Sequence, residues 1–397
     1  MISRIALIAA ASLLLGAAMT PAMAADLGGG CCADLEERVA ELEATTARKG
    51  NRVVTLQIYG TVAKGLLIWD DGDESDAYVV DNDAITSVLG FKGKAALKPG
   101  WSAGFKVELG VTDSSSFGVT ADNDEGDGGI FIRESYVYIE SERLGRVSIG
   151  QQLLSADGVA GVSIANTLYG ANADHSNSLE VLGSGNPLLH FANSYGTGRN
   201  DAIRYDSPSI YGFIASATWG DDDYWDVALR FAKEWNSIKI AAAIGYAKVD
   251  PTNANGGVGY LGGINSEQEI LSGSVSVMHV PTGLFLNVGT GTLEDNFDND
   301  SSFLFVQGGI ERKWFSYGAT TLHAEYGSYD DQLTHFEPTV SSSEATRWGF
   351  GVVQHFDSAA LDLFAQATFW EFDANTGEGS LDLNDISTIM IGAKIDF

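Results

Sequence analysis

From Val53 onward, apolar and polar positions alternate with a period of two, the repeat of strands whose two faces meet different surroundings. Ile238, Ile240, Ala242, Ile244 and Tyr246 share one face, with Lys239, Ala241, Ala243 and Gly245 opposite. The pattern returns at 361–369, with Asp362, Gln366 and Thr368 on the second face. It returns again where Ile389, Ile391, Ala393, Ile395 and Phe397 alternate with Met390, Gly392, Lys394 and Asp396. Segments of about 9–11 residues match the length of a tilted membrane-crossing strand.

The links between these segments alternate in length. Tight ones fall at 98–100, 141–145, 207–212, 235–237, 281–283, 315–318 and 357–360. Between them come mostly long polar ones at 70–83, 113–129, 155–199, 249–267, 294–302, 329–344 and 372–385, with 220–223 short among that second set. An antiparallel meander then gathers every tight turn at one end and the long loops at the other. The expected fold class is all-β, a transmembrane antiparallel barrel of about sixteen strands over 53–397. Trp101, Phe213, Trp235, Trp314, Tyr317 and Phe356 lie near the tight turns, and Trp69, Trp219, Tyr246, Tyr326, Trp348 and Trp370 near the long loops. Two such sets are what aromatic girdles at both membrane interfaces produce.

A sheet survives in lipid only when closed, because every backbone N–H and C=O needs a partner. About sixteen strands enclose more space than side chains fill, so the lumen is expected to hold water. Strand parity puts Lys92, Lys94, Lys106, Arg204, Arg230 and Lys239 on the lumen face, whereas Lys64 shares parity with Ile58, Val62 and Leu66. A bulge or a subunit contact would place it.

Composition narrows the class. The 397 residues carry 53 acidic and 23 basic side chains, a net charge of −30, which excludes a nucleic-acid binder in need of a basic face. The two adjacent cysteines, Cys31 and Cys32, give neither a disulfide framework nor zinc spacing. At the N-terminus, Arg4, the apolar run 5–16 and Ala22-Met23-Ala24 form an export signal over 1–24. Its apolar core is shorter than the roughly 20 residues of a membrane anchor. Residues 25–52 follow as a short helical or coiled segment, with Leu35, Val39 and Leu42 on one helical stripe. An oligomeric coiled coil and a solvated helix both fit it, as do a trimer contact and a contact with peptidoglycan.

The run from Cys32 to Arg52 resembles the start of alphaproteobacterial, rhizobial-type porins. So do Leu67-Ile-Trp-Asp-Asp-Gly72, Tyr78-Val-Val-Asp-Asn82, Leu89-Gly-Phe-Lys-Gly93 and Arg204-Tyr-Asp-Ser-Pro208, and Phe397 is similar to the terminal aromatic of outer-membrane barrels. The resemblance implies a homotrimeric, sixteen-stranded general porin of a Gram-negative outer membrane. It implies passive diffusion of small hydrophilic solutes, contact with outer-membrane lipid and lipopolysaccharide, and a third long loop folded inward. That loop is 155–199, bearing Asp157, Asp174 and Glu180 with His175 and His190. Its acids are expected to face basic residues of the wall, the candidates being Arg133, Arg199, Arg204, Lys92 and Lys94. Ser87 and Val88 stand where such porins usually carry a further arginine. Acid and base across a narrow throat would orient dipolar solutes and filter ions. The missing arginine and the acidic chain lead to an expectation of cation preference.

Other chemistry finds little support. The loop acids lack EF-hand spacing, and loose divalent bridging to lipopolysaccharide or plain solvation accounts for them. Gly257-Val-Gly-Tyr-Leu-Gly262 fits a dinucleotide fingerprint but lacks a following helix. The histidines are scattered, no catalytic motif stands out, and no cofactor is expected. A sugar- or phosphate-selective channel in the same barrel is the second reading, and a secreted β-rich adhesin or hydrolase the third.

Overall fold

The computed structural model describes residues 46–49, 52–126, 128–167, 178–220, 224–249 and 267–397. The chain divides into two compact units, Met1–Ala47 and Arg48–Phe397, and the second is described below. The expected export signal at 1–24, the helical reading of 34–44, Asp174, His175 and the glycine-rich 257–262 lie outside the described residues.

Sixteen antiparallel strands follow one another in chain order. They are β1 (Arg52–Asp70), β2 (Ser75–Asp81, resuming as Val88–Lys98), β3 (Trp101–Thr112), β4 (Gly129–Ser141), β5 (Gly145–Leu153), β6 (Arg199–Asp206), β7 (Phe213–Gly220) and β8 (Trp225–Trp235). Then come β9 (Ile238–Val249), β10 (Gln268–His279), β11 (Leu284–Asp295), β12 (Asp300–Phe315), β13 (Gly318–Asp330), β14 (Val340–Phe356), β15 (Leu361–Thr376) and β16 (Ile386–Asp396). Each pairs with the next, and β16 pairs with β1 from Thr61↔Asp396 to Asp70↔Ser387, so the sheet closes without a free edge. Beyond the last pair, Gly60 and Phe397 exchange two backbone hydrogen bonds of 2.9 and 3.0 Å.

The alternation predicted the pleat. Ile58, Val62, Leu66 and Ile68 of β1, and Leu271 and Val275 of β10, are exposed on the outer face. Their neighbours Ala63, Leu67, Ile270 and Ser272 are buried inside. The tight turns fall where expected. At 236–237 both Asn236 and Ser237 have positive φ, 47° and 67°, the backbone a two-residue hairpin turn needs.

Three expectations need correction. The stretch 70–83 is not a long loop: it holds a four-residue turn and the first half of β2, paired to β1 from Asp70↔Ser75 to Lys64↔Asp81. The stretch 294–302 is short as well, because β11 and β12 extend to Asp295 and from Asp300. Trp69 and Trp370 do not join an outer girdle. Both are about fully buried and point inward, while Trp219, Tyr326 and Trp348 are exposed outside.

Candidate pore constriction

The inner wall is not uniformly polar. Over its loop-side part, Leu67, Trp69, Tyr78, Phe303, Phe305, Tyr329, Trp370 and Phe372 face inward. The 154–198 loop covers them with Leu179, Val181, Leu188, Phe191 and Tyr195. Tyr195 packs edge-on to Phe303 at 5.3 Å and Phe191 to Phe372 at 5.1 Å. Burying each such ring stabilises the inward fold by roughly 1.5–3 kcal/mol, so one side of the barrel is filled by a hydrophobic core. Charged inward side chains gather instead on β3–β6.

The loop is fixed at both limbs. In the outgoing limb, main-chain N–H groups donate to wall side chains: Ser155 to Thr218 Oγ1 at 3.0 Å, Ala156 to Asp226 Oδ2 at 2.7 Å, Val162 to Ser274 Oγ at 3.0 Å. Ile164 donates to Ser276 Oγ at 3.0 Å and Asn166 to Glu311 Oε2 at 2.7 Å. The limb has no ladder of its own, so these side chains satisfy its buried donors. In the returning limb, Tyr195 Oη lies 2.7 Å from Ser301 Oγ, and Gln332 Nε2 donates to Asn193 O at 2.8 Å. His190 stacks on Phe336 with ring centres 3.6 Å apart, and its Nδ1 lies 2.8 Å from Asn186 Oδ1. Burial lowers the His190 pKa to about 4.

Opposite the loop, a bulge organises the charges. Glu108 of β3 pairs with Glu134 of β4, and Leu109 then pairs with Ile132, leaving Arg133 as the extra residue. A bulge re-aims side chains, and here Arg133 and Glu134 both reach the lumen cluster. Lys106 Nζ bridges the two glutamates, 2.9 Å from Glu108 and 2.5 Å from Glu134. Arg133 Nε lies 3.2 Å from Glu108 Oε1 and Arg199 Nε 3.8 Å from Glu134 Oε1. Tyr59 Oη donates to Glu108 at 2.8 Å.

The candidates from the sequence separate into three groups. Arg133 and Arg199 meet around Glu108 and Glu134. Arg204 is tied to Asp206 at 2.7 Å and donates to Leu153 O at 2.9 Å, bracing the loop's start. Lys92 and Lys94 lie further toward the tight turns, Lys92 over the Tyr59 ring at 5.1 Å and Lys94 paired with Glu140 at 2.7 Å. The loop acids take other places. Asp157 accepts from Gly198 N at 2.7 Å and clasps the two ends of the loop together, while its carbonyl accepts from Arg230 at 2.8 Å. Glu180 is exposed in a two-residue ladder with Pro187. Among the described acids that face the wall's bases, Asp157 lies beside Arg199 and Arg230, while Glu108 and Glu134, which sequence reasoning missed along with Tyr59 and Arg146, hold the cluster at the bulge. Their signal was the parity of β3 and the Arg133-Glu134 doublet, which only a bulge brings to one side. Ser87 donates to Asp81 Oδ1 at 3.2 Å and accepts from Ala63 N at 3.1 Å, inside the interruption of β2. Among the described residues no cluster of His, Cys, Asp or Glu could hold a metal ion.

Comparisons with known proteins agree with this architecture. Chitoporin of Vibrio furnissii is 24% identical over 177 residues, which cover 44% of this chain and 42% of that protein. The alignment therefore spans less than half of the curated relative. The anion-selective porin from Comamonas acidovorans superposes with a TM-score of 0.57 at 16% identity, over 87% of this chain and 100% of that one. The trimer form of OmpT from Vibrio cholerae gives 0.56 at 14% identity, over 87% and 99%. The Gram-negative porin family matches residues 8–375. A closed sixteen-stranded barrel, apolar outside, carries that match across nearly its full length: the chain belongs to the Gram-negative porin family and is a multi-pass outer-membrane protein.

Proposed function

We propose that this barrel passes small hydrophilic solutes and ions down their gradients as a homotrimer, with no catalytic step, and that its throat favours anions. One observation carries the reading: the 154–198 loop, hooked to the far wall, confines the polar space to a side lined by bases. Along β2–β8 eight lumen-facing cations, Lys92, Lys94, Lys106, Arg133, Arg146, Arg199, Arg204 and Arg230, stand among Glu108, Glu134, Glu140, Asp206, Asp226 and Glu234, with Asp83 and Asp157 beside Arg199, and of these cations Lys92 has no acid partner among the described residues. The acidity of the whole chain does not set selectivity; the charges at the narrowest, least screened part do. This reading is the opposite of the cation preference expected from the missing arginine and the acidic chain. The run 32–52 supports a place among the alphaproteobacterial, rhizobial-type porins, and that segment is the part suited to a peptidoglycan contact. Outer-membrane lipid and lipopolysaccharide would surround the apolar outer face and the acid-rich loops.

Planar-bilayer recording of the refolded protein tests this. Stepwise conductance in KCl, with a reversal potential of chloride sign in a salt gradient, is expected. Absence of conducting steps overturns the channel reading, and a reversal potential of potassium sign overturns the anion preference.

A further inference from the structure

Below the throat, toward the tight turns, β1–β5 form a recess of about 500 Å³. Lys92, Lys94, Lys106 and Arg146 line it together with Tyr59, Tyr136 and Tyr138, and among the described residues no carboxylate does. Lys106 and Lys94 are engaged by glutamates behind them, and Arg146 lies 3.7 Å from Glu140 Oε1 and 4.4 Å over the Tyr138 ring. Lys92 differs: its only partner among the described residues is the Tyr59 ring, and its ammonium is exposed to the recess. The same ring carries Lys106 at 5.9 Å on its way to the throat. The Tyr59 face holds the Lys92 ammonium in place without neutralising it, which a carboxylate would do. Gln57, the cross-strand neighbour of Lys92, adds an amide to the lining.

We infer that this recess is a binding station for small oxyanions, solutes carrying one phosphoryl or carboxylate group on a hydroxylated body. The inference rests on the channel reading above and adds a substrate class to it. Lys92 supplies the unneutralised charge, Arg146 a planar pair of donors matched to two oxygens of the anion. Gln57 and the tyrosine edges suit the hydroxyls and the carbon skeleton. An anion released by Arg133 and Lys106 would meet this second site before reaching the periplasmic mouth, so bound and moving anions would share one wall.

Flux of glucose 6-phosphate into proteoliposomes, measured against glucose, tests the station. The expected result is saturable uptake of glucose 6-phosphate and uptake of glucose that stays linear with concentration. The Lys92→Gln/Arg146→Gln variant should raise the half-saturating concentration for glucose 6-phosphate about tenfold, while uptake of uncharged glucose stays linear. Should that variant not fold, Lys92→Gln alone serves, since the Lys92 ammonium has no hydrogen bond to lose among the described residues. Linear uptake of glucose 6-phosphate by the wild type, or unchanged saturation in the folded variant, overturns the station while leaving the channel intact. Wild-type protein without KCl conductance would instead remove the channel itself.

Discussion

Lys64 Nζ lies 2.7 Å from Asp81 Oδ2, on the outer face of the barrel, with the lysine side chain 46% exposed and the aspartate fully buried. A lone lysine facing lipid costs roughly 2–4 kcal/mol at mid-bilayer. The interruption of β2 answers this: Asp81 ends the first half-strand, and Asp113 N donates to its Oδ2 at 2.7 Å. Asp81 thus stays an acceptor fixed by the loop after β3, and Lys64 pairs with it instead of standing alone.

Replacing Asp81 by alanine leaves Lys64 without a counter-charge and frees the donors of Asp113 and Ser87. The expected loss is about 1–3 kcal/mol, the cost of leaving those buried donors unsatisfied. Lys64→Met combined with Asp81→Leu should lose less. Urea unfolding of the refolded barrel in detergent, followed by tryptophan fluorescence, checks the order of the two.

Arg347 and Glu325 form a second pair, at 2.5 Å with both side chains fully buried under the loop. Arg347 also lies over the rings of Phe305 and Trp370, at 5.4 and 5.1 Å. Arg347→Ala should destabilise the barrel by roughly 3–5 kcal/mol. It should do so without changing ion preference, because the pair is sealed from the polar space. Thermal unfolding paired with a reversal-potential measurement separates the two effects.

His190 gives the returning limb a pH dependence. Its pKa is about 4 when docked, against an ordinary 6.5, so the undocked limb binds the proton more readily. Docking is therefore fully stable above about pH 6.5, weakens as pH falls, and changes no further below about 4. Open-channel noise should rise through that window in the wild type. In His190→Phe, which keeps a ring against Phe336, it should not.

The clasp between Asp157 and Gly198 sets how firmly the loop's two ends meet. Asp157→Ala removes the acceptor and leaves a buried N–H, a loss of about 1–3 kcal/mol. The loop should splay, and single-channel conductance should rise above that of the wild type.

Much of this fold was legible in the sequence, for a physical reason. A wall with lipid on one side and water on the other writes its alternation directly into β9, β15 and β16. Where both faces are apolar that record fades. In 75–81, Val79 faces out and Val80 faces in beneath the loop, so no contrast marks the strand, and the stretch reads as part of a long connection. Trp69 and Trp370 misled in the same way, since their inward pockets exist only once 178–198 has folded over them. The basic candidates Arg133 and Arg199 were legible as types, but their shared partners depend on a one-residue bulge that composition does not announce.

The seam between β1 and β16 has a temporal consequence. Thr61 Oγ1 donates to Asp396 Oδ1 at 2.7 Å across a separation of 335 residues. Contacts so distant in sequence form last and slowly. Until the final hairpin arrives, two long rows of backbone donors and acceptors stand open, ready to join a neighbouring chain. The protein is thus most prone to aggregation while nearly finished, and an escort in the periplasm would be needed until the ring is sealed.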